Sequence, residues 1–131
     1  MNLELIRSVT TWAAMLSGYP MPEALPTVVV VNHTYIVKHA CQGRECNVAA
    51  WYNDAGIVYW DAAFSMTERD DILLHEIVHY MQDLSLPGKQ SCADFIAREK
   101  EAYRVQAEYL VRTGRLAFVA YAPRPMICPG G

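Results

Sequence analysis

Apolar side chains recur every three or four positions near the start of the chain, which is the spacing of one helix face. The pattern predicts a helix from Leu3 to about Ser17, because Gly18 and Pro20 break it. Trp12, on the same segment, is most simply a core residue. The apolar face consists of Leu3, Ile6, Val9, Ala13 and Leu16.

The next apolar segments have the composition of β-strands. The β-branched run TVVVV (27–31) predicts a buried strand. Residues 32–40 fit two structures, since Asn32 could cap a short helix or the strand could continue. Residues 48–60 predict a β-hairpin, because two runs rich in Val, Ile, Trp and Tyr flank the turn-forming cluster at 53–56.

The second half of the chain predicts two long helices. Ser65 and Glu68 form a Ser-x-x-Glu capping box that opens a helix over about 67–84, which a Leu-Pro-Gly-Lys segment then breaks. A further helix is predicted over about 92–113, with Gly114 as its C-terminal stop.

This order of elements predicts a single α+β domain over residues 1–131. A small antiparallel sheet or hairpin packs on the two long helices, and the N-terminal helix is added to them. The core is expected at about 27–113, followed by a Pro-rich tail at 114–131. A length of 131 residues suits one domain.

Composition and charge then limit the possible partners. The net charge is −3, from 11 basic and 14 acidic side chains, and there is no long basic run. The chain is therefore not expected to bind nucleic acid or an anionic membrane surface. No apolar run approaches the roughly 20 residues that span a bilayer, so no membrane span is predicted. We expect a monomer rather than an oligomer.

The four cysteines bear on the compartment. They include no C-x-x-C pair, so a structural four-cysteine zinc site is not expected. Their placement favours two disulfides, Cys41–Cys46 and Cys92–Cys128, over four idle thiols. Disulfides favour a periplasmic or secreted protein. The N-terminal segment, however, lacks the basic region of a signal peptide and by itself favours the cytoplasm.

Residues 75–79 read His-Glu-Ile-Val-His on the first of the long helices. Residues four apart share a helix face, so His75 and His79 can direct two imidazoles at one metal ion. Glu76 is rotated by about 100° from His75 and can reach a water on the metal without being a ligand. This geometry is the physical content of the H-E-x-x-H motif.

An ordinary amphipathic helix can also carry two histidines by chance. His75, His79 and Gln82 are predicted on the side opposite the apolar residues, so the pair faces either a cleft or solvent. The apolar side is expected to comprise Leu73, Leu74, Ile77, Val78, Met81 and Leu84.

The following helix offers a third metal ligand. Helical phase places Glu99 near the centre of its apolar face, where an unpaired carboxylate is costly and needs a cationic partner. Two partners stay open, a zinc ion held by the histidines or a buried Arg or Lys. Glu101 is predicted among the solvent-facing charges, and Gln106 on the inner face as a support for a ligand or a substrate contact. The apolar face itself comprises Phe95, Ile96, Ala102, Tyr103, Tyr109 and Leu110.

Over residues 48–113 the sequence resembles the gluzincin metallopeptidases, which carry H-E-x-x-H on one helix and a glutamate ligand on a following helix. The matching residues are His75, Glu76, His79 and Glu99. The string Glu-Lys-Glu-Ala at 99–102 also resembles the E-x-x-A pattern of the small minigluzincins. One departure is Tyr103, which stands where thermolysin-like members have Asp.

The resemblance implies a zincin-like fold and a zinc metallopeptidase with one Zn²⁺ held by His75, His79 and Glu99. Zinc activates a water, and Glu76 takes its proton and passes it to the leaving amine. A second electrophile for the oxyanion is expected. The candidates are Tyr103, Tyr80, His33 and His39.

The implied substrate is a peptide or protein that adds a strand to the 48–60 hairpin. Two other functions stay open: a catalytically silent zinc-binding module for protein interaction, and a latent enzyme whose cleft is covered by the tail at 122–131 or the connector at 19–26. A metal-free structural module, with Glu99 in an ion pair, is a further alternative. The hairpin aromatics, some of them core, are Trp51, Tyr52, Tyr59 and Trp60.

Overall fold

A computed structural model describes residues 2–53, 55–116 and 128. Over these residues the fold is α+β, as the element order predicts, with four helices and a three-stranded sheet. The elements in chain order are α1 (Leu3–Ser17), β1 (Thr27–Val31), α2 (His33–Ala40), β2 (Ala50–Tyr52), β3 (Ile57–Asp61), α3 (Asp70–Ser85) and α4 (Cys92–Arg112).

The sheet has the order β1-β3-β2, so β3 is its central strand. β2 pairs with β3 in antiparallel register, with Ala50 opposite Trp60, which confirms the predicted hairpin. β1 pairs with β3 in parallel register, with Thr27 opposite Ile57. This parallel pair needs a crossover connection, which contains α2 and β2.

Helices cover both faces of the sheet. Side chains alternate along β3, so Val58 and Trp60 are buried towards α1, α3 and α4, while Tyr59 packs against Tyr35 of α2 on the opposite face. The hydrophobic core also includes Ile6 and Val9 of α1, and therefore begins well before residue 27. The core expected at about 27–113 is too short by one helix.

The strand predicted at 27–31 is present, but the prediction that it is buried is wrong. Val28 is fully buried, but Val29 and Val30 are 36% and 57% exposed. The physical reason is position, because β1 lies at the edge of the sheet and contacts mainly β3. The open question at 32–40 is settled as a helix, in which the Asn32 side chain accepts a hydrogen bond from the Tyr35 backbone N–H.

The first of the two long helices, α3, begins at Asp70, three residues later than the predicted start at about 67. Ser65 does accept a hydrogen bond from the Glu68 N–H (3.2 Å), but this cap closes a separate turn. Arg69, at φ −117° and ψ 40°, is not helical and separates that turn from α3. Two acidic residues, Asp70 and Asp71, occupy the first turn of α3, where their negative charge interacts favourably with the partial positive charge of the helix N-terminus.

Two side chains assigned to apolar helix faces are exposed instead. Leu84 is 56% exposed and Phe95 is 45% exposed. Leu84 lies in the last turn of α3 and Phe95 in the first turn of α4. Helical phase gives the direction of a side chain but not the reach of the neighbouring elements, so both positions extend past the core.

Both expected disulfides are present. Cys41–Cys46 closes a short loop after α2, and Cys92–Cys128 ties the first residue of α4 to the tail. The remainder of the tail beyond residue 116, including the 122–131 segment proposed to cover the cleft, lies outside the described residues. In the part of the chain that is described, no helix has the length and apolarity required to span a membrane.

Candidate metal centre

The geometry of one helical turn brings His75 and His79 together on α3. Their ring centroids lie 5.0 Å apart in an edge-to-face arrangement. α3 packs against α4 on one side and β2 on another, so His75 is only 6% exposed. The alternative of a solvated histidine face is therefore excluded, because α3 is enclosed on the histidine side as well as on the apolar side.

Glu99 of α4 reaches both histidines. Its Oε1 lies 3.0 Å from His75 Nε2 and 2.5 Å from His79 Nε2. The three residues form a group whose ligand atoms all lie within 4.8 Å of one another. Among the described residues, the ion-pair partners of Glu99 are the two histidines, and none is an Arg or Lys.

The opposite ring nitrogens are held by two glutamines. His75 Nδ1 donates to Gln106 Oε1 (2.9 Å), and His79 Nδ1 donates to Gln82 Oε1 (2.8 Å). With Nδ1 as the donor, Nε2 of each ring can give up the proton that it shares with Glu99 and offer its lone pair to a cation. Gln106 was predicted on this inner face, and its contact with His75 confirms that placement.

The electrostatics of the centre favour a cation at the point where these atoms meet. Burial works against the charged form of Glu99, but hydrogen bonds from His75 and His79 hold its pKa well below the usual range. Burial also works against protonated His79, but its hydrogen bond to Glu99 and the nearby carboxylates raise its pKa to about 9. His75 Nε2 and His79 Nε2 are thus both joined to Glu99 Oε1 by hydrogen bonds at the point where the three atoms converge.

Glu76 lies beside the three ligand atoms without joining them. Its Oε2 is 4.0 Å from His75 Nε2, and its Oε1 accepts a hydrogen bond from the Tyr52 backbone N–H (3.1 Å). Burial raises the pKa of Glu76, opposed by the charges of His75 and His79. This carboxylate is therefore a base whose pKa is moved towards neutrality, as catalytic acid–base groups require.

An open cleft of about 490 Å³ lies over the histidines, Glu76 and Glu99. Strand β2 forms one wall, with Ala50, Trp51 and Tyr52, and α4 forms the other. Phe95, exposed at the start of α4, stands at the side of this cleft together with Arg98 and Tyr103. The exposed phenyl ring that helical phase assigned to the core thus lines the cleft.

The edge of β2 that does not pair with β3 faces this cleft. Asn53 N–H bonds to Ile57 O across the hairpin, and residues that bond in this way alternate along an antiparallel strand. Ala50 and Tyr52 therefore direct backbone groups away from β3, and the Tyr52 N–H reaches Glu76. An extended chain in the cleft would lie along this edge.

The structure separates the four oxyanion candidates. Tyr103 lines the cleft, and its ring packs edge-to-face on His75 at 4.4 Å. Tyr80 instead donates to the Ala24 carbonyl. His33 binds Asp61 and Glu45, and His39 stacks on Trp51 and Tyr35, so neither is among the cleft residues described.

Sequence reasoning missed three polar residues of this centre. Gln82 was placed on the histidine side but given no role, and Asp71 was not considered. Glu101 was predicted in solvent, whereas it is half-buried and accepts hydrogen bonds from Tyr19 OH and Gln82 Nε2. The spacing carried a partial signal, since Asp71 lies four residues before His75 and Gln82 three after His79.

Residues 1–122 match the model of a domain family of unknown function, DUF6647. The match covers most of the chain, so the protein belongs to this family. No curated protein and no solved structure matches the chain. The family carries no assigned activity, and the function is therefore argued from the site.

Proposed function

We propose that this protein is a zinc-dependent metallopeptidase of the small gluzincin type, hydrolysing peptide bonds in an open cleft. The observation that supports it is the convergence of His75 Nε2, His79 Nε2 and Glu99 Oε1 on one point, with Glu76 beside them. Two imidazoles and a carboxylate are the ligand set of catalytic zinc sites with three protein ligands.

The residues fit Zn²⁺ in donor type and in spacing. Ligand atoms around a tetrahedral zinc ion lie about 3.3 Å apart, close to the 2.5–3.0 Å between the Glu99 oxygen and the two Nε2 atoms. When bound, zinc supplies Lewis acidity and lowers the pKa of a water towards about 7. The side chains supply the rest of the chemistry.

Glu76 acts as the general base and then as the general acid. Its Oε1 is fixed by the Tyr52 N–H, and its Oε2 lies towards the ligand atoms, where it can take a proton from the attacking water. Its raised pKa lets it hold that proton and transfer it to the leaving amine. Tyr103 is the proposed second electrophile for the oxyanion, because it lies in the cleft against His75.

The proposed substrate is a peptide or an extended protein segment. It adds a strand along the edge of β2 that does not pair with β3 and crosses the cleft next to Glu76, so backbone hydrogen bonds hold it whatever its sequence. Two disulfides favour a protein that works in an oxidising compartment, and we propose the periplasm or the extracellular space.

The decisive experiment is the Glu76→Gln variant, compared with wild type in zinc content and in cleavage of a broad peptide library followed by mass spectrometry. Glutamine keeps the size of the side chain, so fold and zinc content should not change. Loss of the base should slow hydrolysis by about 10²–10⁴-fold. Glu68→Gln, on the exposed turn before α3, serves as the matched control.

Two results would count against the proposal. A Glu76→Gln variant as active as wild type on the same peptide would contradict the role of Glu76 as the general base. Wild-type protein that binds zinc at the three ligands but leaves the whole library intact would favour the catalytically silent zinc-binding module. Elemental mass spectrometry on the same samples reports the metal independently of turnover.

A further inference from the structure

Behind His75 runs a chain of hydrogen bonds that ends at a buried carboxylate. His75 Nδ1 donates to Gln106 Oε1 (2.9 Å), and Gln106 Nε2 donates to Asp71 Oδ2 (2.8 Å). Gln106 and Asp71 are 6% and 3% exposed. Asp71 is in turn bound by Arg69 through its Nε at 3.2 Å, which keeps the carboxylate ionised and holds its pKa low although burial opposes this.

Behind His79 runs a second chain of the same kind. His79 Nδ1 donates to Gln82 Oε1 (2.8 Å), and Gln82 Nε2 donates to Glu101 Oε1 (3.0 Å). The same Nε2 also donates to the backbone carbonyl of Arg98 (2.9 Å). Gln82 is 1% exposed, so this amide has no solvent to turn towards.

Each chain has a fixed direction. In both chains the carboxylate accepts a hydrogen bond from the NH₂ group of the glutamine amide. The amide oxygen therefore faces the imidazole, and the imidazole nitrogen that meets this oxygen must be the one that carries hydrogen. The other ring nitrogen, Nε2, which faces Glu99, is then the one that can offer its lone pair to a metal ion. The carboxylate therefore decides which face of the ring is a ligand.

We propose that Asp71 and Glu101 are positioning residues that fix the tautomer and the orientation of His75 and His79 through Gln106 and Gln82. The inference rests on the proposed zinc function and adds to it. In most zinc sites the ligand histidine donates directly to a carboxylate, a backbone carbonyl or water. Here a neutral amide stands between, so the ring is oriented while the negative charge stays one group further from the ligand atoms.

The relay also links the two helices that carry the ligands. Asp71 and His75 belong to α3 and Gln106 to α4, with 31–35 residues between the bonded partners. A purely structural role, joining α3 to α4, is the competing explanation. It predicts that breaking the chain lowers stability of the metal-free protein but leaves its affinity for zinc unchanged.

The first test is Gln106→Met, which keeps an unbranched chain of similar size but removes both the oxygen and the NH₂ group of the amide. Zinc affinity, measured by competition with a chelator, should fall by about 10–100-fold, the usual effect of losing such a partner. The visible spectrum of the cobalt(II)-substituted protein should change, because the ring of His75 is no longer held. Glu108→Gln, on the exposed face of α4, is the control and should change neither.

The second test is the double exchange Gln106→Glu with Asp71→Asn. It conserves the summed charge and leaves the His75 nitrogen as a donor, now to the new carboxylate at position 106. The bond between positions 106 and 71 reverses, since the new amide at position 71 donates to that carboxylate. Zinc affinity and the cobalt spectrum should return to wild-type values or better. The equivalent exchange Gln82→Glu with Glu101→Gln should restore less, because the new carboxylate cannot donate to the Arg98 carbonyl.

The outcomes separate this inference from the proposed function. If wild type and Gln106→Met bind zinc with equal affinity and give the same cobalt spectrum, the relay has no role at the metal, even where peptide hydrolysis is intact. If the double exchange stays as weak as Gln106→Met, the direction argument is overturned. If wild type binds no zinc, the metallopeptidase proposal falls first, and the relay falls with it.

Discussion

At the scale of single residues, two carboxylates of the cleft have opposite pKa shifts. Against the effect of burial, hydrogen bonds from two histidines lower the pKa of Glu99, which fits the ligand role proposed for it. Burial raises the pKa of Glu76, which fits the acid–base role proposed for it. Environments that move two pKa values apart are the usual basis for dividing such roles.

His33, the first residue of α2, is another titratable residue with a shifted pKa. Its Nδ1 lies 2.6 Å from Asp61 Oδ2 and its Nε2 lies 2.7 Å from Glu45 Oε1. The hydrogen bonds to Glu45 and then to Asp61 raise its pKa. Because both partners are acceptors, the protonated ring is the form that makes both bonds, and it ties the Cys41–Cys46 loop to the end of β3.

This arrangement predicts a stability that depends on pH. The folded pKa of His33 is raised above the unfolded value of about 6.5, so its contribution is complete below about pH 6.5 and is lost as pH rises through the folded pKa. Urea unfolding in the presence of a chelator measures this contribution. The free energy of unfolding of wild type should exceed that of His33→Gln by most near pH 6, and the difference should shrink at higher pH. A difference that grows with pH would contradict the assignment.

At the scale of elements, α3 is the helix on which both the core and the centre depend. One side holds Leu73 and Ile77, each fully buried, and the other holds the two histidines of the proposed metal centre. Packing on both sides fixes the rotation of the helix about its axis. A shift of α3 would therefore move His75 and His79 together relative to Glu99 on α4.

Two leucines of α3 should respond differently to truncation. Leu73→Ala removes a fully buried side chain and should lower the free energy of unfolding by about 2–5 kcal/mol. Leu84→Ala, at a position 56% exposed in the same helix, should change it by no more than about 0.5 kcal/mol. Urea unfolding with a chelator present measures both. Equal losses would show that the last turn of α3 is packed after all.

At the scale of the whole molecule, the two disulfides restrict very different lengths of chain. Cys41–Cys46 joins residues five apart, whereas Cys92–Cys128 joins residues 36 apart. A cross-link limits the freedom of the unfolded chain more when it closes a longer loop. The bond at the start of α4 therefore restricts the unfolded chain more and is expected to contribute the larger stabilisation.

Removing each bond in turn tests this expectation. The double variant Cys92→Ala with Cys128→Ala should lose about 4 kcal/mol of unfolding free energy, and Cys41→Ala with Cys46→Ala about 2 kcal/mol, from the loop lengths alone. Guanidinium unfolding of the two metal-free variants gives the comparison. A larger loss from the short loop would show that Cys41–Cys46 holds native structure that loop length does not describe.

The sequence by itself determined whatever depends on local spacing. The helix at 3–17, the hairpin and the helix at 92–112 follow from periodicities of 3.6 and 2 and from turn residues. The shared face of His75 and His79 follows from the i, i+4 relation in the same way. Glu99 could also be identified from the sequence, because a carboxylate on an apolar helix face needs a partner wherever the helix lies.

Only the tertiary structure decided which segments meet. The parallel pairing of β1 with β3 joins residues 30 apart, and it leaves Val30 exposed at the sheet edge. The contact of Gln82 with Glu101 joins two helices, so helical phase alone assigned Glu101 to solvent. The physical reason is common to both: periodicity fixes the direction of a side chain from its own element, whereas its burial and partners depend on the element packed against it.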